Sequence, residues 1–430
     1  MNWLAIVRLG GVQAAIGAMV MLATSLLNRV MVVEYALAAA LPAGLVAWHY
    51  AVQLSRPLWG HGSDRGARRT PWIIGGMAVL GLGTMLAVAA AVILATSWWP
   101  GIALAVLAFT LIGGGVGAAG TSLLALLASQ VAPERRAAAA AITWIMMIAG
   151  IVITAGVAGS LIDPFSPQRL ALVVAGVVSA AFAVATLSIW GLERASASNG
   201  ARPSTDFGFA VREILADREA RLFTLFVFVS MLAYAMQDMI LEPFAGLLFA
   251  MSPGQSTQLT GVQHMGVLAG MVLVGLGANA FGARTAGGLR LWTVAGCIGS
   301  ALALTGLAMA AQHAPAWPIA ANVALLGFFN GMFAVSAIGA MMALAGAAGA
   351  GREGVRMGVW GAAQAIAFGL GGLIGAVGVD AGRALMQADR PAFALIFACE
   401  AALFLIAAAI ATRAVAARSP TLRQPLGALA

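Results

Sequence analysis

Two carboxylates one helical turn apart, Asp238 and Glu242, stand inside the apolar run LAYAMQDMILEPFAG. Acids spaced by four share a helix face. In an apolar setting such a pair can bind a cation or pass protons. A plainer alternative has Glu242, which precedes Pro243, capping the helix end, with Asp238 alone inside; the residues leave both open. A second charged stretch, SLLNRVMVVE, puts Asn28, Arg29 and Glu34 into another apolar run. A charge at a bilayer centre costs about 2.5–3.5 kcal/mol on insertion scales, so it needs a partner or a task. At 100° per residue, Gln13, Gly17, Thr24, Asn28 and Glu34 fall within about 120° of one another, and Arg29 points away from Gln13. That stripe either lines a cavity or serves hydrogen bonding between helices.

Two of the four histidines lie mid-run: His49 in AWHYAVQLSRP and His264 in GVQHMG. Each is either a hydrogen-bonded packing residue or a ligand. No His/Cys/carboxylate spacing suits a protein-held metal, and no Ser-His-Asp arrangement points to a hydrolase, so no enzyme is expected. The Gly-rich stretches LIGGGVGAAG and FGLGGLIGAVG have no preceding strand and lie within apolar runs. They read as close helix packing through small residues rather than as phosphate loops.

The elements that must hold these residues follow from composition. The chain is 62% hydrophobic and 9% charged over 430 residues, which indicates a membrane protein with several spans. The net charge of +8 does not indicate a nucleic-acid partner, because the arginines, which make up all 23 basic residues, sit in short loops between apolar runs. Cys297 and Cys399 lie inside apolar runs and read as free thiols. The first run lacks a small-residue cleavage site, so a retained span is expected. Breaking the chain at charge and proline clusters, with about 20 residues per span, gives about twelve spans: 9–33, 36–58, 72–97, 101–129, 138–162, 169–191, 221–249, 258–282, 289–312, 317–348, 357–380 and 391–413. The division is a six-helix half at 1–192, a linker with a short surface helix at 193–220, and a second half with a tail at 221–430. With both termini in the cytoplasm, nineteen arginines fall on that side and Arg29, Arg169, Arg383 and Arg390 on the other. That bias predicts the orientation.

The halves echo each other: WGHGSDRGARRTPW follows span two and GANAFGARTAGGLR follows span eight, while PERRAA and GREGVRMG join spans four–five and ten–eleven. A parallel repeat predicts basic loops at matching places. GHGSDRGARR resembles the loop motif of the major facilitator superfamily, with Gly60, Asp64, Arg65, Arg68 and Arg69 at the matching places. Asp64 there is expected to fix the spans' relative positions. LNRVMVVE, MQDMILEPFAG, GFFNGMFAVSAIGAMM and REGVRMGVWGAAQAIAFG together resemble one branch of it, the bacteriochlorophyll delivery (PucC/LhaA-like) family. AWHYAVQLSRPLWGHGSDRGARRTPWIIGG is most similar to the short paralogue encoded among bacteriochlorophyll synthesis genes.

The resemblance implies an all-α facilitator fold of two pseudo-symmetric halves in the bacterial inner membrane, including intracytoplasmic photosynthetic membrane. It implies a factor that assembles light-harvesting or reaction-centre complexes and handles bacteriochlorophyll or a precursor. Its partners would be antenna polypeptides, reaction-centre intermediates, bacteriochlorophyll synthase and membrane lipids. The residues alone also suit a proton-coupled transporter of a small organic solute. In facilitator folds span two meets span eleven, and span five meets span eight. The first seam would pair His49, Gln53 and Arg56 with Trp360, Gln364 and Phe368; the second would offer Trp144 with Gln263 and His264. His49 is the first expected pigment ligand and His264 the second. Aligning Asn28-Arg29 with Gln237-Asp238 in the repeat sets Arg29 opposite Asp238, with Glu34 and Glu242 as alternative partners. Arg29 would then bridge the halves, with Asn28 and Gln237 supplying hydrogen bonds.

Overall fold

The computed structural model describes residues 2–56, 59, 68–131, 136–193, 216, 218–280, 286–346 and 353–414. Twelve long helices account for most of these. The first half holds α1 (Trp3–Glu34), α2 (Ala40–Gln53), α3 (Thr70–Leu94), α4 (Trp98–Gln130), α5 (Arg136–Leu161) and α6 (Pro167–Ile189). The second holds α7 (Arg218–Phe249), α8 (Pro253–Ala280), α9 (Ala286–His313), α10 (Ile319–Gly346), α11 (Glu353–Met386) and α12 (Asp389–Ala414). Ten of the twelve are long and apolar enough to cross a membrane, and no strand is present among the described residues.

Helix starts follow ordinary capping chemistry. Asn2 Oδ1 accepts from the Ala5 amide at 2.9 Å, and Ser166 Oγ accepts from Arg169 N at 3.1 Å with Pro167 at the first helical position. Such caps satisfy amides that have no partner within the helix. Glu193, expected as the first linker residue, instead holds the start of α3. Its Oε1 accepts from Arg69 N at 2.5 Å and its Oε2 from Thr70 N at 2.8 Å. A carboxylate suits that place because the exposed amides carry partial positive charge. The rest of the expected linker, 194–215 and 217, lies outside the described residues.

Two apolar cores form, one per half. The first runs from Ile6 to Ile189 and borrows Met239 and Ala376 from the second half. The second runs from Phe223 to Ala414. Small residues let backbones touch. A methyl at Gly115 of α4 would lie 2.5 Å from the backbone nitrogen of Leu80 in α3. One at Gly371 of α11 would lie 2.5 Å from the Leu232 carbonyl oxygen in α7. The Gly-rich stretches therefore serve packing. The halves meet along α2–α11, where the tilted rings of Tyr50 and Phe368 pack with centroids 5.7 Å apart. They also meet along α5–α8, where Ile148 packs with Val267 and Met271.

Candidate functional site

The end of the bundle where α1 finishes, here the distal end, is sealed by bonds between the halves. α1 changes from α to π geometry over Leu22–Leu26 and again over Val30–Glu34. In an α-helix, residues five apart diverge by about 140°. The wider π turn, with its i→i+5 bonds, returns Glu34 over Arg29. Arg29, 2% exposed, accordingly pairs its Nη1 with Glu34 Oε1. Its remaining donors cross to the second half: Nε reaches Ser256 Oγ at 3.1 Å, and Nη2 reaches the Met251 carbonyl at 2.7 Å. Gly246 leaves room for this guanidinium, since a methyl there would stand 3.2 Å from Nη2. Beside it, Asn28 Nδ2 donates to the Met239 carbonyl at 2.8 Å. Thr260 Oγ1 donates to Glu242 Oε1 and lies 3.5 Å from Ser25 Oγ.

Arg29 does link the halves, but the expected Arg29–Asp238 pair is not made. The π turn commits the guanidinium to Glu34, and Asp238 turns to a deeper neighbourhood shared with Tyr50, Tyr234 and Glu400. Glu242 is not merely an end cap. It is 1% exposed and bonded within the interface. Gln237 is fully buried, and both its amide atoms lack partners among the described residues, so it supplies no bond to this seal. Gln13 sits nearer the other end, with Nε2 3.3 Å from Met147 Sδ across α1–α5.

Two further carboxylates close the distal end in matching positions. Asp163, just past α5, accepts from Gly254 N at 3.2 Å and from Ser252 Oγ at the start of α8. Asp380 of α11 accepts from Ala39 N at 3.2 Å and Ala40 N at 2.7 Å at the start of α2. Each half thus caps a helix of the other. Tyr35, just past α1, lies edge-on to Phe165 at 6.5 Å. Burial first, and the neighbouring Glu34 second, push its phenol pKa upward.

The candidate pigment residues divide differently from expectation. His49 is 1% exposed, and its Nε2 lies 2.7 Å from Gln53 Nε2. Gln53 Oε1 accepts from Arg56 Nη2, so the Gln53 amide must donate to His49 and occupy its lone pair. Trp360 does not face the α2–α11 seam. It is fully buried against Phe223 at 4.8 Å and donates to Thr224 Oγ1 at 3.1 Å, within the second half. Gln364 likewise turns to α7, its Nε2 3.8 Å from Met231 Sδ. The seam belongs to Tyr50 and Phe368 because α2 presents its Ala47–Tyr50 side to Gly369.

Along the other seam, His264 is half-buried and its Nδ1 lies 2.9 Å from the Thr260 carbonyl. Trp144, 37% exposed, is not beside it. It sits one turn before Ile148, which packs against Val267 and Met271, so it falls level with Met271, about two turns from His264. Gln263 is 2% exposed, with its Nε2 unpartnered among the described residues. Gly60, Asp64 and Arg65 lie outside the described residues; Arg68 is exposed, and Arg69 donates to the Ala125 carbonyl at 2.6 Å. Among the described residues no cluster of three His, Cys, Asp or Glu could hold a metal ion.

Sequence reasoning missed Glu400, fully buried in α12, although a lone acid in FACEAALF carries the same signal as Asp238. It also missed Asp163, Asp380 and Ser256, which sit at helix ends where a short polar residue has no distinctive pattern.

The family model described as PUCC protein matches residues 26–419. The chain is 52% identical over 421 residues to the bacteriochlorophyll synthase 44.5 kDa chain of Rhodobacter capsulatus, covering 97% of each. It is 29% identical to Protein PucC of Rhodobacter capsulatus over 94% of this chain and 91% of that one. Among solved structures it resembles the nucleoside transporter NupG, with a TM-score of 0.70 at 12% identity over 96% of this chain and 99% of that one. A bacterial homologue of the human lysosomal transporter Spinster, in an inward-facing occupied conformation, gives 0.67 at 16% identity over 96% of each chain. The fold is thus that of the major facilitator transporters, and the chain is a multi-pass protein of the bacterial inner membrane. It belongs to the PucC protein family, with a place in the photosynthetic apparatus.

Proposed function

We propose that this protein is a non-catalytic assembly factor of the photosynthetic membrane, which holds (bacterio)chlorophyll or a precursor between its halves and passes it to antenna polypeptides or reaction-centre intermediates. His264 is the observation that carries the reading. The Thr260 carbonyl, 2.9 Å from Nδ1, can only accept. Nδ1 therefore bears the proton, and Nε2 keeps its lone pair. A neutral imidazole oriented by a backbone carbonyl on a half-open face suits the magnesium of a chlorin as an axial donor. His49 does not suit it, because the Gln53 amide holds its Nε2. Tyr50, Phe368 and Tyr234 form an aromatic group at the separate α2–α11 seam, with centroids 5.7 and 5.8 Å apart.

The name of the 52% identical relative supports bacteriochlorophyll synthase as a partner, and a seam facing lipid suits sideways entry of a phytylated pigment. The test is an absorption spectrum of protein purified from phototrophically grown cells, with a search for antenna subunits that co-purify. Pigment and antenna together support the proposal. Colourless protein that catalyses proton-linked solute uptake would instead support a transporter.

A further inference from the structure

A second polar centre lies inside the second half, away from His264. Glu400 of α12 is 0% exposed, and neither carboxylate oxygen has a hydrogen-bond partner among the described residues. Helix packing identifies its surroundings. Phe244 of α7 packs on Phe393 of α12 with centroids 5.3 Å apart. A step of seven residues is about two turns and returns to nearly the same face. The helices are antiparallel, so stepping from Phe244 back to Gln237 and from Phe393 on to Glu400 moves the same way along the bundle. Gln237 and Glu400 are therefore level, on facing stripes.

A second register agrees. Phe333 of α10 meets Phe404 of α12 at 5.5 Å, and one turn back on these parallel helices stand Asn330 and Glu400. Asn330 is 0% exposed; its Oδ1 accepts from Ser300 Oγ at 2.8 Å, and its Nδ2 is unpartnered among the described residues. Asp238, beside Gln237, is half-buried and within electrostatic range of Glu400.

Among the described residues, Glu400 in the apolar interior and Asp238 at its edge have no ion-pair partner of positive charge. The Arg29 guanidinium is engaged by Glu34, and Arg383 by Asp389 at 2.6 Å. The titratable groups that neighbouring helices turn to this core are Asp238 and Tyr234 from α7, Cys297 from α9 and, on the Asp238 side, Tyr50 from α2 with Arg56 further along that helix. α10 contributes none there among the described residues, and on α11 Asp380 and Arg383 lie at the distal end. A lone buried charge of this kind is costly unless it is neutralised.

We propose that Glu400, with Gln237 and Asn330 around it and Asp238 towards the cavity, binds one monovalent cation, a proton or a sodium ion, taken up from between the halves. Its carboxylate, the Gln237 amide oxygen and the Ser300 hydroxyl form the oxygen set that a hard cation takes. The same groups suit a proton: with one bound, Gln237 Oε1 would accept from the carboxylic O–H and Asn330 Nδ2 would donate to its carbonyl, bonds not made in this structure. The proposal is independent of pigment binding.

The test is thermal unfolding of the full chain in lipid nanodiscs, with two arms. In one, sodium chloride replaces choline chloride at fixed ionic strength; in the other, pH runs from 8 to 5 without sodium. The wild type should gain about 3 °C in one arm at hundredfold excess over the dissociation constant. A gain with sodium identifies sodium, and a gain only with acid identifies the proton. Glu400→Gln, which keeps the shape, should lose the response. If that variant does not fold, Gln237→Leu must weaken the response at least fivefold in concentration. A wild type flat in both arms, a Glu400→Gln that responds like wild type, or a Gln237→Leu with unchanged affinity overturns the proposal.

Discussion

Arg29→Gln should loosen the distal seal by an amount the structure bounds. The substitution removes the ion pair to Glu34 and the bond to the Met251 carbonyl. Ser256 is not stranded, because its hydroxyl also donates to the Pro253 carbonyl at 3.2 Å. The Met251 oxygen loses a partner, which costs about 1 kcal/mol. Stripping one partner from a fully buried pair costs about 3–5 kcal/mol. Glu34 is 28% exposed, however, and recovers part of its hydration, so about 1–2 kcal/mol is the apt figure for it. The total is about 2–3 kcal/mol, or a Tm lower by roughly 2–3 °C at about 1 °C per kcal/mol for a chain of 430 residues. Thermal unfolding in nanodiscs reads this, and double-mutant cycles apportion it. Arg29 should couple to Glu34→Gln and Ser256→Ala but not to Asp238→Asn. A Tm indistinguishable from wild type, or a larger coupling to Asp238 than to Glu34, would show that Arg29 does not hold the distal seal through Glu34.

Asp163→Asn and Asp380→Asn should each cost about 0.5–2 kcal/mol, as lost charged caps. Because they lie on opposite seams, their Tm losses should add, and strong non-additivity would show that they act as one unit. Gly270→Ala should cut folded yield, since its methyl would collide with the Phe328 carbonyl in α10. Gly75→Ala, with nothing within 4 Å of the added carbon, should leave yield unchanged and serves as the control. The arginine distribution predicts that a C-terminal fluorescent-protein fusion glows and a C-terminal phosphatase fusion is inactive; the reverse pattern would invert the orientation.

The fold was legible because a bilayer demands long apolar runs, and charges and prolines punctuate them. Span nine, expected at 289–312, forms as Ala286–His313, and span twelve, expected at 391–413, as Asp389–Ala414. Side-chain facing was less legible. A uniform 100° step predicts neither the π turns of α1 nor the return of Glu34 over Arg29. It also groups His49 with the α2–α11 seam, although rotation of α2 gives that seam to Tyr50. Periodicity tells which residues share a face, and only packing tells which neighbour that face meets. Trp360 shows the same limit: a tryptophan on the expected face fills its own half's core beside Phe223.

Pigment retention in histidine variants distinguishes the two candidate axial ligands. Wild type, His264→Ala and His49→Ala would be purified from phototrophically grown cells and their pigment-to-protein ratios read by absorption. His264→Ala should lose most bound pigment while folding normally, and His49→Ala should retain it. Equal pigment in all three, or loss confined to His49→Ala, would contradict His264 as the ligand.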